Sequence, residues 1–173
     1  MSKPSSTPQA PRISPGMPEE WVSLTQGFFQ NVRDSSELTE VETNNITFND
    51  LLRSLLKVER IERGRVTCLL SIKPPVLNFY GTLHGGAVTG LAELVCTACA
   101  RTIASEDKKL FLGELSVSYL SAATPNMVLE VDGSLVRHGR NVTVTSVEFK
   151  NKQTGKLIYT ARATFYNLPV SSL

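Results

Sequence analysis

The stretch Asn78-Phe79-Tyr80-Gly81-Thr82-Leu83-His84-Gly85-Gly86-Ala87-Val88-Thr89-Gly90-Leu91-Ala92-Glu93 decides the fold, together with its continuation Leu94-Val95-Cys96-Thr97-Ala98-Cys99-Ala100. It opens as a loop, with Gly81 inside it and Pro74 and Pro75 just upstream. From His84 to about Ala104 it is the one long helix candidate of the chain. At 100° per residue, Val88, Leu91, Val95 and Ala98 share one face. Glu93 falls on the opposite face with Gly86, Thr89, Gly90, Cys96, Thr97 and Ala100. The pattern predicts a bulky face for a sheet and a small-residue face that another backbone or a ligand approaches closely. Glu93 is the only acid in the helix before Glu106. A lone carboxylate among small residues is expected to be partly buried, with desolvation raising its pKa. The competing reading is an ordinary exposed glutamate, which helices favour.

Gly85 and Gly86 stand at the helix start, although each costs about 1 kcal/mol against alanine. They expose unpaired backbone N–H groups that suit an anion or a developing oxyanion. A tight loop-to-helix turn is the plainer reading of the same pair. No G-x-G-x-x-G follows a strand, and no Gly-Lys-Ser/Thr marks a phosphate loop. Gly85 and Glu93 are eight residues apart, about 12 Å along one helix. An oxyanion donor and a base must both reach one carbonyl group, within roughly 3–3.5 Å. If both act, Glu93 meets Gly85 of a second copy. Two such helices running antiparallel about a two-fold axis give a homodimer with two shared sites.

Working outward, Pro18-Glu19-Glu20 reads as a helix start, and Trp21, Leu24, Phe28 and Val32 follow at helical spacing. Residues 35–45 form a polar linker, and Phe48–Leu55 a short helical turn with Asn49 or Thr47 near its start. Strand-like runs at 56–62 and 65–72 are separated by Arg63-Gly64. Residues 73–83 are a loop. Beyond the long helix the period changes to two, with strands near 110–120, 127–137, 141–151 and 156–166. Ala123-Thr124-Pro125-Asn126, Arg137-His138-Gly139-Arg140 and Gln153-Thr154-Gly155 are the breaks between them. Two strands, one long helix and four antiparallel strands give an α+β architecture. The expected division is a disordered tail at 1–17, a helix and polar linker at 18–46, a folded domain at 47–168 and a tail at 169–173.

The chain has 173 residues, 41% hydrophobic and 20% charged, which excludes collagen, coiled coil and disorder throughout. The longest apolar-looking run, 87–100, carries Glu93 and is too short for a membrane span. A net charge of +2 gives no global field for nucleic acid. The charge is uneven, however. Residues 133–173 hold Arg137, Arg140, Lys150, Lys152, Lys156 and Arg162 against Glu148 alone, which suits a phosphorylated small molecule or a solvated strand face. Cys68, Cys96 and Cys99 read as reduced, buried thiols rather than a redox or metal pair, and no metal site is expected. The first 17 residues carry no apolar h-region. Ser171-Ser172-Leu173 matches the peroxisomal S-K-L address only in part. The expected compartment is intracellular, the cytoplasm first, with peroxisome and mitochondrion as alternatives.

The string Asn78-x-x-Gly81-Thr82-Leu83-His84-Gly85-Gly86, with Glu93 nine residues after His84, resembles the hotdog-fold acyl-CoA thioesterases. It is most similar to the PaaI-like subgroup that contains the small acyl-coenzyme A thioesterases of animals and plants. Ser146-Val147-Glu148-Phe149-Lys150-Asn151-Lys152 and Thr154-Gly155-Lys156-Leu157-Ile158 resemble that subgroup too, and the likeness covers about residues 47–166. It implies a hotdog fold, a long central helix wrapped by an antiparallel β-sheet, as an obligate dimer or a tetramer built from two dimers. It implies hydrolysis of an acyl-CoA thioester to free CoA and a carboxylic acid, with no cofactor. Glu93 takes the catalytic carboxylate position, the Gly85 N–H polarises the thioester carbonyl, and Asn78 and His84 fix the carbonyl and the loop. Gly86, Leu112 and Tyr119 join the substrate contacts, and Arg137, His138, Gly139, Arg140 and Asn141 form a turn for the CoA phosphates. One departure stands out: Leu112 occupies the place where relatives carry a serine that orients water, with Ser116 and Ser118 out of register. Either water is held differently, or Glu93 attacks as a nucleophile, or the fold only binds acyl-CoA. Dehydratase chemistry is disfavoured, because His84 precedes Gly-Gly rather than an H-x-x-x-F-P-G-like context.

Overall fold

The structure is a computed structural model, and it describes residues 11–30, 47–105 and 107–169. In chain order the elements are β1 (Arg12–Ile13), α1 (Glu19–Gln30), α2 (Phe48–Ser54), β2 (Leu56–Glu62), β3 (Arg65–Ser71), α3 (Gly85–Arg101), β4 (Lys108–Tyr119), β5 (Val128–His138), β6 (Val142–Asn151) and β7 (Leu157–Pro169). The seven strands form one sheet in the order β1-β2-β3-β5-β6-β7-β4. Every pairing is antiparallel except β1 with β2.

Period-two patterning explains the strands. Val66, Cys68 and Leu70 of β3 are buried while Arg65, Thr67 and Leu69 face outward. Leu129 and Val131 of β5 and Val147 and Phe149 of β6 point the same way as the β3 core residues, under α3. Gly133 of β5 lets the helix come close, for a Cβ there would stand 2.8 Å from Val95 Cγ1 and 3.3 Å from the Val95 carbonyl oxygen.

Helical patterning explains α3, and its buried face is wider than expected. Val88, Leu91, Ala92, Val95, Cys96 and Cys99 are all 0% exposed, at the i, i+3, i+4 and i+7 spacings of a core-facing stripe. Cys96 and Ala100 therefore belong to the core, not to the open face. Their small size lets the helix lie close on the sheet, where Thr145 Oγ1 reaches the Cys96 carbonyl at 3.4 Å. Gly90 is small for α2: a Cβ there would meet Leu52 Cδ1 at 2.4 Å. A capping box starts α2, with Thr47 Oγ1 accepting from the Asp50 N–H and the Asp50 carboxylate accepting from the Thr47 N–H.

The β2–β3 turn holds the far end of α3. The Gly64 N–H donates to Thr102 Oγ1 at 2.8 Å, and the Cys99 thiol donates to the Gly64 carbonyl at 3.2 Å. Gly64 sits at φ +77, where a side chain is strained. Arg63 lies 5.9 Å from the Trp21 ring centroid, which ties α1 to this turn.

Residues 11–17, expected within the tail, are described here: Arg12 and Ile13 pair with Arg60 and Ile61, and Ser14 Oγ donates to Glu62 at 2.9 Å. Residues 1–10, 31–46, 106 and 170–173 lie outside the described residues, and with them Val32 of the expected helical run and the polar linker expected at 35–45. At the other margin β4 pairs only with β7 and leaves its second edge open. A bulge at Gly113 bends it, and Tyr166 covers the glycine so closely that a Cβ would stand 2.3 Å from its ring.

Candidate active site

A loop delivers the chain to the start of α3, and Asn78 builds that loop. Its Oδ1 accepts from the N–H groups of Tyr80 and Thr82 at 3.0 and 3.1 Å, and its Nδ2 donates to Thr82 Oγ1 at 2.8 Å. The Asn78 N–H also donates to the Thr82 carbonyl, and Gly81 turns the chain at φ +71. One Nδ2 hydrogen is left for another acceptor. Phe79 and Tyr80 at the loop tip are 97% and 85% exposed and pack edge to face, 5.7 Å apart. The His84 N–H donates to the Val76 carbonyl at 2.9 Å and the Leu83 N–H to the Ala123 carbonyl at 2.8 Å, fixing where the helix begins.

His84 is the N-cap of α3, with φ −64 and ψ 133. Its Nδ1 accepts from the Gly86 N–H at 2.9 Å, so the neutral ring carries its proton on Nε2. The Gly86 N–H is thereby spent on the cap. The Gly85 N–H has no acceptor among the described residues and stands at the positive end of the helix dipole. The Gly85 carbonyl accepts from Tyr119 Oη at 3.0 Å and from Thr89 Oγ1 at 3.0 Å. Tyr119 packs edge to face on Tyr159, whose hydroxyl accepts from the Ala123 N–H at 3.1 Å. Burial raises the Tyr159 pKa above the usual phenol value, partly offset by that backbone hydrogen bond.

Glu93 is exposed in the single chain, in place of the partial burial expected for it. The open stripe of α3 runs through Gly86, Thr89, Glu93, Thr97 and Arg101, while Gly90, expected on the same face, is covered by Leu52 of α2. Glu93 and Gly85 lie on this one helix, about 12 Å apart by helical rise, so no single chain joins them at one carbonyl. Leu112 faces inward from β4 and packs, partly buried, against the core. Ser116 and Ser118 alternate with the inward-packing Leu115 and Val117, so they face the other side.

Gly139, Arg140 and Asn141 form the β5–β6 turn, with Arg137 and His138 at the end of β5 beside it. Arg137, His138, Arg140 and Asn141 are exposed. Asn167 of β7, missed in the sequence, holds this turn. It is 7% exposed, its Nδ2 donates to the Gly139 carbonyl at 2.9 Å, and its N–H donates to the Asn141 carbonyl at 2.8 Å. Its Oδ1 accepts from Thr143 Oγ1 at 2.9 Å, which leaves Thr143 to accept from His138 Nδ1, also at 2.9 Å. This turn lies beside the β7 and β4 ends that border the C-terminus of α3, where Arg101 reaches the Lys108 carbonyl. The predicted residues thus fall into three groups along α3. His84, Gly85, Gly86 and Tyr119 gather at its start, Glu93 stands at mid-helix, and the basic turn lies past its end.

The three cysteines are free and buried, and desolvation pushes the Cys96 thiol up to about 11 and the other two higher still. Among the described residues no group of three His, Cys, Asp or Glu side chains is placed to hold a metal ion, and no helix is long and apolar enough to cross a membrane. An open concavity of about 570 Å³ lies at the opposite sheet margin, bordered by Arg12, Lys57, Arg60, Arg65 and Lys152. Three of these cations already face carboxylates: Arg60 with Glu62, Arg65 with Asp132 and Lys152 with Glu59. It is a solvated ion-pair surface remote from α3's open stripe.

A helix on one face of an antiparallel sheet, with a glycine N–H free at the helix start and a carboxylate further along, defines a class. The family model of the Thioesterase superfamily matches residues 80–158, which holds the whole of α3. "Putative esterase F42H10.6" of Caenorhabditis elegans is 32% identical over 122 residues, covering 70% of this chain and 71% of that protein. Human "Acyl-coenzyme A thioesterase 13" is 26% identical over 136 residues, covering 68% of this chain and 92% of that one. A thioesterase protein of Streptococcus pneumoniae, solved with coenzyme A, superposes with a TM-score of 0.61 at 24% identity, over 66% of this chain and 86% of that one. The chain belongs to the thioesterase superfamily and has its hotdog fold.

Proposed function

We propose that this chain is an acyl-CoA thioesterase that works as a homodimer with two shared sites. The observation that carries the reading is the free Gly85 N–H at the N-terminus of α3, with Glu93 on the same open stripe. The N–H takes the developing negative charge of the thioester carbonyl oxygen. Glu93 of the second copy removes a proton from water, or attacks the carbonyl carbon to give an anhydride that water then opens. CoA leaves as the thiolate in either route. No metal or organic cofactor enters, since the CoA thioester is itself the substrate.

Support for two copies is physical. Antiparallel pairing of two α3 helices brings each Gly85 beside the other's Glu93. The unpaired β4 edge and the exposed Phe79 and Tyr80 are surface that a second copy covers. Glu93 then faces its second copy rather than open solvent. The basic turn lies beyond the C-terminal end of α3, on the Glu93 side of the site. The copy that supplies Glu93 therefore also supplies Arg137 and Arg140 to the phosphates. Coenzyme A in the pneumococcal relative and the name of the human one favour this ligand.

Leu112 favours a second reading, a module that binds acyl-CoA without turning it over. A partly buried aliphatic side chain offers water no hydrogen bond. CoA release from a panel of short, long and aromatic acyl-CoA substrates tests the choice. Turnover that Glu93→Ala abolishes supports hydrolysis, and saturable binding without turnover supports the module.

A further inference from the structure

We infer that Tyr119 is a positioning residue: with Thr89 it locks the peptide that follows Gly85 and so holds the Gly85 N–H in place. The inference rests on the proposed role of that N–H. Two peptide groups flank Gly85, and each is anchored. In the His84–Gly85 peptide, the His84 carbonyl accepts the first helical bond from the Val88 N–H at 3.0 Å. In the Gly85–Gly86 peptide, the carbonyl accepts from the Tyr119 and Thr89 hydroxyls at 3.0 Å each, while the N–H donates to His84 Nδ1 at 2.9 Å. The two hydroxyl oxygens are 2.9 Å from each other, so two protons serve a triangle of three oxygens, and at least one of them always lies on the Gly85 carbonyl. Every other polar group of the two peptides is spent, and the Gly85 N–H alone is left to meet a ligand.

The anchor comes from the sheet, not from the helix. Tyr119 ends β4, and its ring packs on Tyr159 at 5.8 Å, which packs on the buried Phe149 at 5.8 Å. Tyr119 itself is 52% exposed, and this aromatic row ties its ring to the core. Packing does not require the glycine, since a Cβ on residue 85 would stand 3.5 Å from the Tyr119 ring, an ordinary contact. Glycine instead leaves the N–H open to approach. A glycine pair at a helix start is free to rotate, and the triangle removes that freedom before substrate arrives.

Tyr119→Phe keeps the ring stack and removes the hydroxyl. Turnover and the amide resonance of Gly85 are measured on the full chain. The expected result is a fall in kcat of roughly three- to tenfold with KM unchanged, together with a shifted Gly85 amide resonance. Thr89→Val, which removes the second hydroxyl, moves both in the same direction. A rise in KM alone makes Tyr119 a plain substrate contact and overturns the inference. So does an unmoved Gly85 resonance in both variants, whatever the rate. If the wild-type chain releases no CoA, the hydrolase reading falls, and the resonance alone decides the positioning role.

Discussion

Gly85 and Glu93 share α3 and stand about 12 Å apart along its axis, too far to serve one carbonyl from the same chain. Mixed dimers turn this separation into an experiment. Gly85→Pro replaces the N–H with a ring carbon and keeps the helix start: proline is favoured at the first helical position, and His84 already has the extended ψ of 133 that precedes proline well. Gly85→Pro and Glu93→Ala homodimers are each expected to be inactive. Mixed at equal amounts and allowed to exchange, they should recover about a quarter of wild-type activity, since half the dimers are mixed and each holds one intact site. No recovery in demonstrably mixed dimers would count against shared sites.

The basic turn should act on affinity. Arg137→Ala and Arg140→Ala are expected to raise KM for acyl-CoA about tenfold each, with kcat little changed and the difference shrinking at high salt. Asn167→Ala, which frees the Gly139 carbonyl from its clamp, should follow the same pattern without removing any charge. In the mixed dimer, Arg140→Ala should weaken the recovered site only when it is carried on the Gly85→Pro chain, the one that supplies Glu93. Kinetics across substrate concentration read both effects.

Gly133→Ala should lower stability by about 1–3 kcal/mol, because the atom it would press on includes the Val95 carbonyl of the helix backbone. Gly85→Ala, with only an ordinary contact to Tyr119, should leave the unfolding free energy within about 0.5 kcal/mol of wild type. Urea denaturation followed by circular dichroism distinguishes the two glycines.

Much of this was legible in the sequence where the pattern was local. Alternation fixed β3 and β5–β7 to within a few residues, and the Thr47–Asp50 cap sits where the short helix was expected. What failed to show was long-range. Two-residue β1 has no period of its own, and its pairing with Arg60 and Ile61 is made across the fold. Asn167 meets Gly139 from 28 positions away through sheet register, and Tyr119 meets Gly85 from 34 through the packing of α3 on the sheet. Cys96 and Ala100 looked like open-face residues because a helical wheel counts size and angle, while the packing of α3 buries a broader arc. Glu93 is exposed, so the partial burial expected for it is not encoded in one chain's packing.

The most direct measurement is CoA release followed with a thiol reagent, comparing wild type with Glu93→Gln. The chain's own thiols are buried, so the signal reports liberated CoA. The account predicts steady release by wild type from at least one acyl length and a fall of roughly 10²–10⁴-fold in Glu93→Gln, the range for losing a positioned acid–base group. Full activity in Glu93→Gln, or no release by wild type from any acyl-CoA, would contradict it.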